Sequence, residues 1–151
     1  MTALLVDLDG ALGDTRPLWD AWLADAARVL GVVAHDLPAD RGEAAVSLDA
    51  AGAGNWRALL ERFAEDRAPV YLRPAADAGA AMRRLGAEGT TVGVFTDAPE
   101  ELARVALAHL GAARRVAALE TGRGALDRLR ATLGEDARMA RTRQELIGAA
   151  P

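Results

Sequence analysis

The sequence contains no cysteine and no lysine, few aromatic residues, and no apolar run long enough to span a membrane. Without cysteine there are no disulfide staples, no thiolate metal ligands and no cysteine nucleophile. Without lysine, all eighteen basic residues are arginines, so every permanent side-chain cation is a guanidinium. These arginines are scattered among 22 acids, giving a formal net charge of −4, and they form no basic stripe that would attract a nucleic-acid backbone. No basic segment precedes the short N-terminal apolar stretch, which argues against the usual secretion signal and makes a cytoplasmic protein the expectation. With aromatics at only 4% of 151 residues, the apolar content is mainly alanine, leucine and valine, predicting one domain with an aliphatic core and a helical outer layer.

What is present is an alternation of strand and helix. Residues 3–8 (ALLVDL), 91–95 (TVGVF), 115–119 (RVAAL) and 137–140 (ARMA) read as buried strands. Between them, Leu102, Val105, Ala106 and Leu110, and then Leu126, Leu129 and Leu133, recur at helical spacing. Such alternation predicts an α/β fold, a Rossmann-like parallel sheet flanked by helices, whose ligands sit beyond the carboxyl ends of the strands. Residues from Thr15 to about Arg73 break the rhythm. Trp19, Trp22, Leu23, Ala26 and Leu30 mark one amphipathic helix, and Trp56, Leu59, Leu60 and Phe63 a second, with a long connection between them. This stretch is expected to be a small helical insertion packed over the sheet edge, its tryptophans serving as apolar core.

The chemistry-bearing residues lie where the strands should end. Asp7 and Asp9 close the first strand, Thr96 and Asp97 follow the second, and Glu120, Thr121 and Arg123 follow the third. A buried strand cannot hide an ionised carboxylate without a partner, a metal or an exit to solvent. Two residues apart on a strand, two carboxylates point to one side, and Gly10 permits the chain to turn after them. Such a pair can supply a nucleophile and a proton-transfer group. Asp97-Ala98-Pro99-Glu100 also has the form of a helix N-cap. His35 and His109, far apart in sequence, are read as structural.

The stretch VDLDGALGDT resembles the first motif of the haloacid dehalogenase-like (HAD) superfamily, with both acids, the glycine, a leucine two places on and the Asp14-Thr15 pair; Ala11 stands in place of the usual threonine. The similarity is to the phosphoglycolate-phosphatase-like branch. It implies a HAD-like core from residues 1–15 and 74–151, a helical cap over 16–73, and an order in which the second and third strands lie on one side of the first and the last strand on the other. It implies a phosphatase acting on a small phosphorylated metabolite, without nucleic-acid or membrane partners. Asp7 would attack phosphorus to form an aspartyl-phosphate, and Asp9 would serve as acid and base. Gly10, Thr96, Asp97 and Arg123 would meet the phosphate, with Arg123 in the place of a family lysine, or else a surface residue of a glycine-rich turn. Magnesium would be held through Asp7 and Asp9, but the acids expected after the last strand are replaced by Arg141, Thr142 and Arg143. Arg141 or Arg143 could substitute for the ion, or both could face solvent. A non-catalytic relative that binds a phosphorylated ligand or a protein partner is therefore the alternative, and a dehalogenase-like activity, which does not need Asp9, ranks below both.

Overall fold

The computed structural model describes residues 2–150. Four short strands, β1 (Ala3–Asp7), β2 (Thr91–Thr96), β3 (Ala118–Thr121) and β4 (Arg138–Ala140), form one parallel sheet in the order β3-β2-β1-β4. This is the predicted arrangement, with β1 interior: Leu4 pairs with Val92 on one side and Arg138 on the other. Leu4, Leu5 and Val6 are fully buried, each contributing about 1.5–3 kcal/mol. A continuous apolar run is what a central parallel strand requires, because helices cover both of its faces.

Four helices provide that cover: α4 (Ala76–Ala87), α5 (Glu100–His109), α6 (Ala125–Leu133) and α7 (Arg143–Ala149), named in chain order after the three described below. Leu4, Val6 and Val94 pack in one cluster with Met82 and Leu85 of α4, Ala106 of α5 and Leu146 of α7. Leu5 and Phe95 point to the other face, against Ala125 and Leu129 of α6. The third strand begins later than residues 115–119 suggested. Ala113–Arg115 forms a short 3-10 turn, and pairing starts at Ala118 opposite Gly93. As an edge strand β3 is only half-buried, so its apolar pattern marks its position poorly.

Residues between β1 and α4 form α1 (Arg16–Leu30), α2 (Arg41–Ala50) and α3 (Trp56–Tyr71). Their shared core holds Leu18, Leu48 and Leu60 around Trp19, Trp22 and Trp56, whose ring centroids lie 5.2 and 5.9 Å apart in sequence order. Ala98 and Leu102 from the α/β portion join the same cluster, which seats these helices on the sheet edge. The tryptophans are apolar core, as expected. His109 meets the carbonyl of Leu72 at 3.1 Å, while His35 is exposed beside Asp36. No helix among the described residues is long and apolar enough to cross a membrane.

Helix α2 replaces part of what the sequence suggested was a connection. Its apolar face is narrow and it contains Gly42 and Ser47, so periodicity conceals it. Capping supplies the missing signal: the Asp40 side chain accepts from the amide of Glu43 at 2.9 Å, three residues into a D-x-x-E sequence. Gly42 is needed where this helix meets the loop after β3. A Cβ there would lie 2.5 Å from the Arg123 amide nitrogen and 2.9 Å from the Gly122 carbonyl carbon, both backbone atoms that cannot swing aside. Gly42→Ala is therefore expected to lower stability by about 1–3 kcal/mol despite the better helix propensity of alanine. Urea denaturation measures this, and an unchanged or raised midpoint would show that α2 is free to shift.

Candidate active site

The carboxyl ends of β1 and β2, the start of α2, the loop before α6 and the turn after β4 enclose a cleft of about 500 Å³. Its polar lining includes Asp7, Asp9, Arg41, Thr96, Asp97 and Arg141. The chain leaves β1 through a wide turn in which the Gly13 amide donates to the Leu8 carbonyl and the Gly10 amide to the Gly13 carbonyl. Gly10 has φ 114°, and a Cβ there would lie 2.5 Å from the Arg141 carbonyl oxygen. No other residue fits, so glycine allows the first-strand turn to press against the turn after β4.

Asp9 is enclosed by donors. Its Oδ1 accepts from the Thr15 amide at 2.7 Å and the Thr15 hydroxyl at 2.6 Å. Its Oδ2 accepts from Arg41 Nη2 at 2.5 Å and the Thr96 hydroxyl at 2.8 Å. These contacts use the acceptor capacity of a carboxylate. The Arg41 residue is 2% exposed. Besides Asp9, its guanidinium donates to Asp97 from Nη2 at 2.8 Å and from Nε at 3.2 Å, and to the Thr15 hydroxyl from Nη1 at 2.6 Å. Burial opposes the charge on Arg41, but Asp9 and Asp97 outweigh it and hold the guanidinium still more firmly protonated.

Asp97 serves a helix distant in sequence. It accepts from the Arg41 amide at 2.9 Å, at the start of α2, as well as from the guanidinium. Burial would raise its pKa, yet the Arg41 side chain and amide hold it below the usual carboxylate range. The local capping bond after β2 is made instead by Thr96, whose hydroxyl accepts from the Ala98 amide at 3.1 Å. The four-residue cap pattern beginning at Asp97 was thus legible, but its acid is turned toward α2.

Asp7 differs from Asp9. Its Oδ1 accepts from the Asp9 amide at 3.1 Å and its Oδ2 faces Arg141 Nη1 at 3.6 Å, beyond hydrogen-bond distance. Burial and the charge of Asp9 push its pKa up to about 6, against smaller opposing effects of the Asp9 amide and Arg141. Arg141 lies with its guanidinium 5.4 Å from the Phe95 ring centroid. Arg143, exposed at the start of α7, does not line the cleft. Nor does Arg123, whose side chain is 64% exposed and faces Glu43 at 3.6 Å. Arg128 instead braces the loop before α6, donating to the carbonyls of Thr121 and Arg123.

The residues present do not fit the magnesium that the resemblance implied. Asp9 is fully occupied by donors, Asp97 is taken by Arg41, and the turn after β4 contributes a guanidinium where a carboxylate was expected. Among the described residues, no group of three or more histidine, aspartate or glutamate side chains is placed to hold an ion. Thr15 and Arg41 are the site residues that sequence reasoning left unassigned. Thr15 lay within the recognised motif, whereas Arg41 had as its only signal the cap that starts α2.

Comparison with solved structures places this architecture. The chain has the haloacid dehalogenase-like fold, a parallel α/β sheet flanked by helices. A HAD-superfamily hydrolase of subfamily IA, variant 1, from Geobacter sulfurreducens is 17% identical with a TM-score of 0.57, over 99% of this chain and 86% of that one. CbbY from Rhodobacter sphaeroides in complex with phosphate is 13% identical with a TM-score of 0.58, over 81% of this chain; the match spans 64% of CbbY. A Thermotoga maritima protein assigned as a beta-phosphoglucomutase is 18% identical with a TM-score of 0.55, over 99% of this chain and 82% of that one. No family model matches the sequence, and no curated protein matches it.

Two stability outcomes follow from this geometry. Arg41→Ala leaves Asp9 buried without its cation and should cost about 3–5 kcal/mol in urea denaturation; a loss below about 1 kcal/mol would show the pairing to be dispensable. Asp7, with a folded-state pKa near 6 against an ordinary value of 3.8, contributes stability that is fully present below its unfolded pKa and lost as pH rises through about 6. Asp7→Asn cannot ionise, so it should exceed the wild type by about 1 kcal/mol near pH 8, after solvent screening, and lose that advantage below about pH 4. Denaturation curves at the two pH values check this. An advantage independent of pH would contradict it.

Proposed function

We propose that this chain is a slow phosphate-monoester hydrolase of the HAD-like type, acting on a small phosphorylated metabolite through an aspartyl-phosphate on Asp7. The observation that carries this reading is the placement of Asp7 at the carboxyl end of the central strand, in the cleft, with one oxygen facing the Arg141 guanidinium and not consumed by a hydrogen bond. In the first step an Asp7 oxygen bonds to phosphorus as the bond from phosphorus to the ester oxygen breaks, and that oxygen takes a proton from solvent water to leave as an alcohol. In the second, water attacks the acyl phosphate, releasing inorganic phosphate and restoring Asp7. Arg141 offsets charge on the phosphoryl oxygens, and the helical segment 16–73 serves as a cap through α2, separate from a core of residues 1–15 and 74–151.

Turnover is slow because of Asp9. A general acid must turn toward the leaving oxygen, and the ion pair with Arg41 together with the Thr15 and Thr96 hydrogen bonds holds both Asp9 oxygens in place. The same pairing favours a second reading, in which the cleft binds a phosphorylated ligand without turning it over. A panel of phosphate esters separates the two. Slow phosphate release that falls at least about 10³-fold in Asp7→Asn, with a covalent phosphate detected by mass spectrometry on the wild type only, is the expected result. Release that persists in Asp7→Asn would reject the mechanism, and ligand binding without release would establish the second reading.

A further inference from the structure

We propose that built-in guanidiniums, Arg141 beside Asp7 and Arg41 between Asp9 and Asp97, with Arg16 at the cleft lining already paired to Asp14, supply the positive charge of this cleft, so that it takes up a phosphate group without a divalent ion. The inference rests on the phosphate reading of the cleft but not on hydrolysis. Three observations carry it.

First, of the cleft carboxylates Asp7, Asp9 and Asp97, the last two are already committed to donors, and Asp7 alone keeps an oxygen outside any hydrogen bond, with a guanidinium facing it. A magnesium ion needs oxygen lone pairs about 2.1 Å away in near-octahedral geometry. Asp9 has none open, and Arg41 Nη2 lies 2.5 Å from one of its oxygens, where it would confront any ion sharing that oxygen. Second, backbone packing sets where both arginines start, with the Arg41 side chain buried and the Arg141 side chain half exposed. Arg41 is held at its own amide by Asp97, and its neighbour Gly42 abuts the backbone of Gly122 and Arg123. The Arg141 carbonyl presses on Gly10, while the guanidinium lies over Phe95. Third, with no lysine in the chain, guanidinium is the only fixed cation available, and its planar fork suits phosphoryl oxygens. Arg141, at 53% side-chain exposure, is open to a ligand at the mouth; Arg41 neutralises the buried acids behind it.

Calorimetric titration of the wild-type chain with inorganic phosphate, once in EDTA and once in excess magnesium at matched ionic strength, tests the proposal. Phosphate affinity is expected to be the same in both, within about twofold, and to fall at least about tenfold in Arg141→Ala, an exposed position that does not threaten the fold. Arg104→Ala, which removes an equal charge far from the cleft, is expected to leave phosphate affinity unchanged. Arg41→Lys keeps charge but loses the fork, so it should weaken binding without abolishing it. Affinity raised about tenfold or more by magnesium, saturable one-to-one magnesium binding to the wild type, or no phosphate binding in either condition would each overturn the inference. Failure here is distinct from failure of the hydrolase reading: metal-free phosphate binding without ester cleavage sinks only the latter, and magnesium-strengthened, Asp7-dependent cleavage sinks only this one.

Discussion

One buried guanidinium organises the functional edge of this protein. Arg41 lies at the start of α2, yet its partners are Thr15 and Asp9 from the first-strand segment and Thr96 and Asp97 from the second. It joins the helical segment to the α/β sheet by charge-assisted hydrogen bonds, where apolar contact would give no fixed register. A buried charge is tolerated only when paired and hydrogen-bonded, and each partner here meets that condition for the others. The same contacts determine what the cleft can do, because they neutralise two acids and leave a third, Asp7, to face the opening.

That division gives two acids two residues apart different characters. Asp9 lies within a cage of donors, whereas Asp7 is raised toward neutrality by burial and by the charge of Asp9, with Arg141 only a partial counterweight. Environments that drive neighbouring carboxylates apart are how one strand end can present two chemically distinct groups. Glycine at position 10 is the covalent precondition, since it allows the backbone carrying one acid to cross close to the backbone carrying the compensating arginine.

Much of the scaffold was legible in the sequence because its signals are local. The apolar run of β1, the strand at 91–96, the helices that follow and the acids at strand ends all follow from burial periodicity and from the cost of hiding a charge. Elements at the margin were less so. β3 starts later than its apolar residues suggest, because an edge strand is only half-buried and its register is set by pairing with β2. α2 was concealed by its small residues, since a helix that buries alanine and glycine against a loop lacks the large apolar stripe that marks the others.

Composition alone determined that any fixed cation in this protein would be a guanidinium, and the motif around Asp7 determined where the acids would lie. Which of eighteen arginines would meet those acids was decided only by tertiary structure. Arg41 is 32 residues from Asp9 and 56 from Asp97, and no local pattern distinguishes it from Arg123 or Arg143. Its selection follows from the seating of α2 through Gly42 and from the cost of leaving two inward-facing carboxylates without a charge partner. Those constraints act across chain segments that only folding brings together.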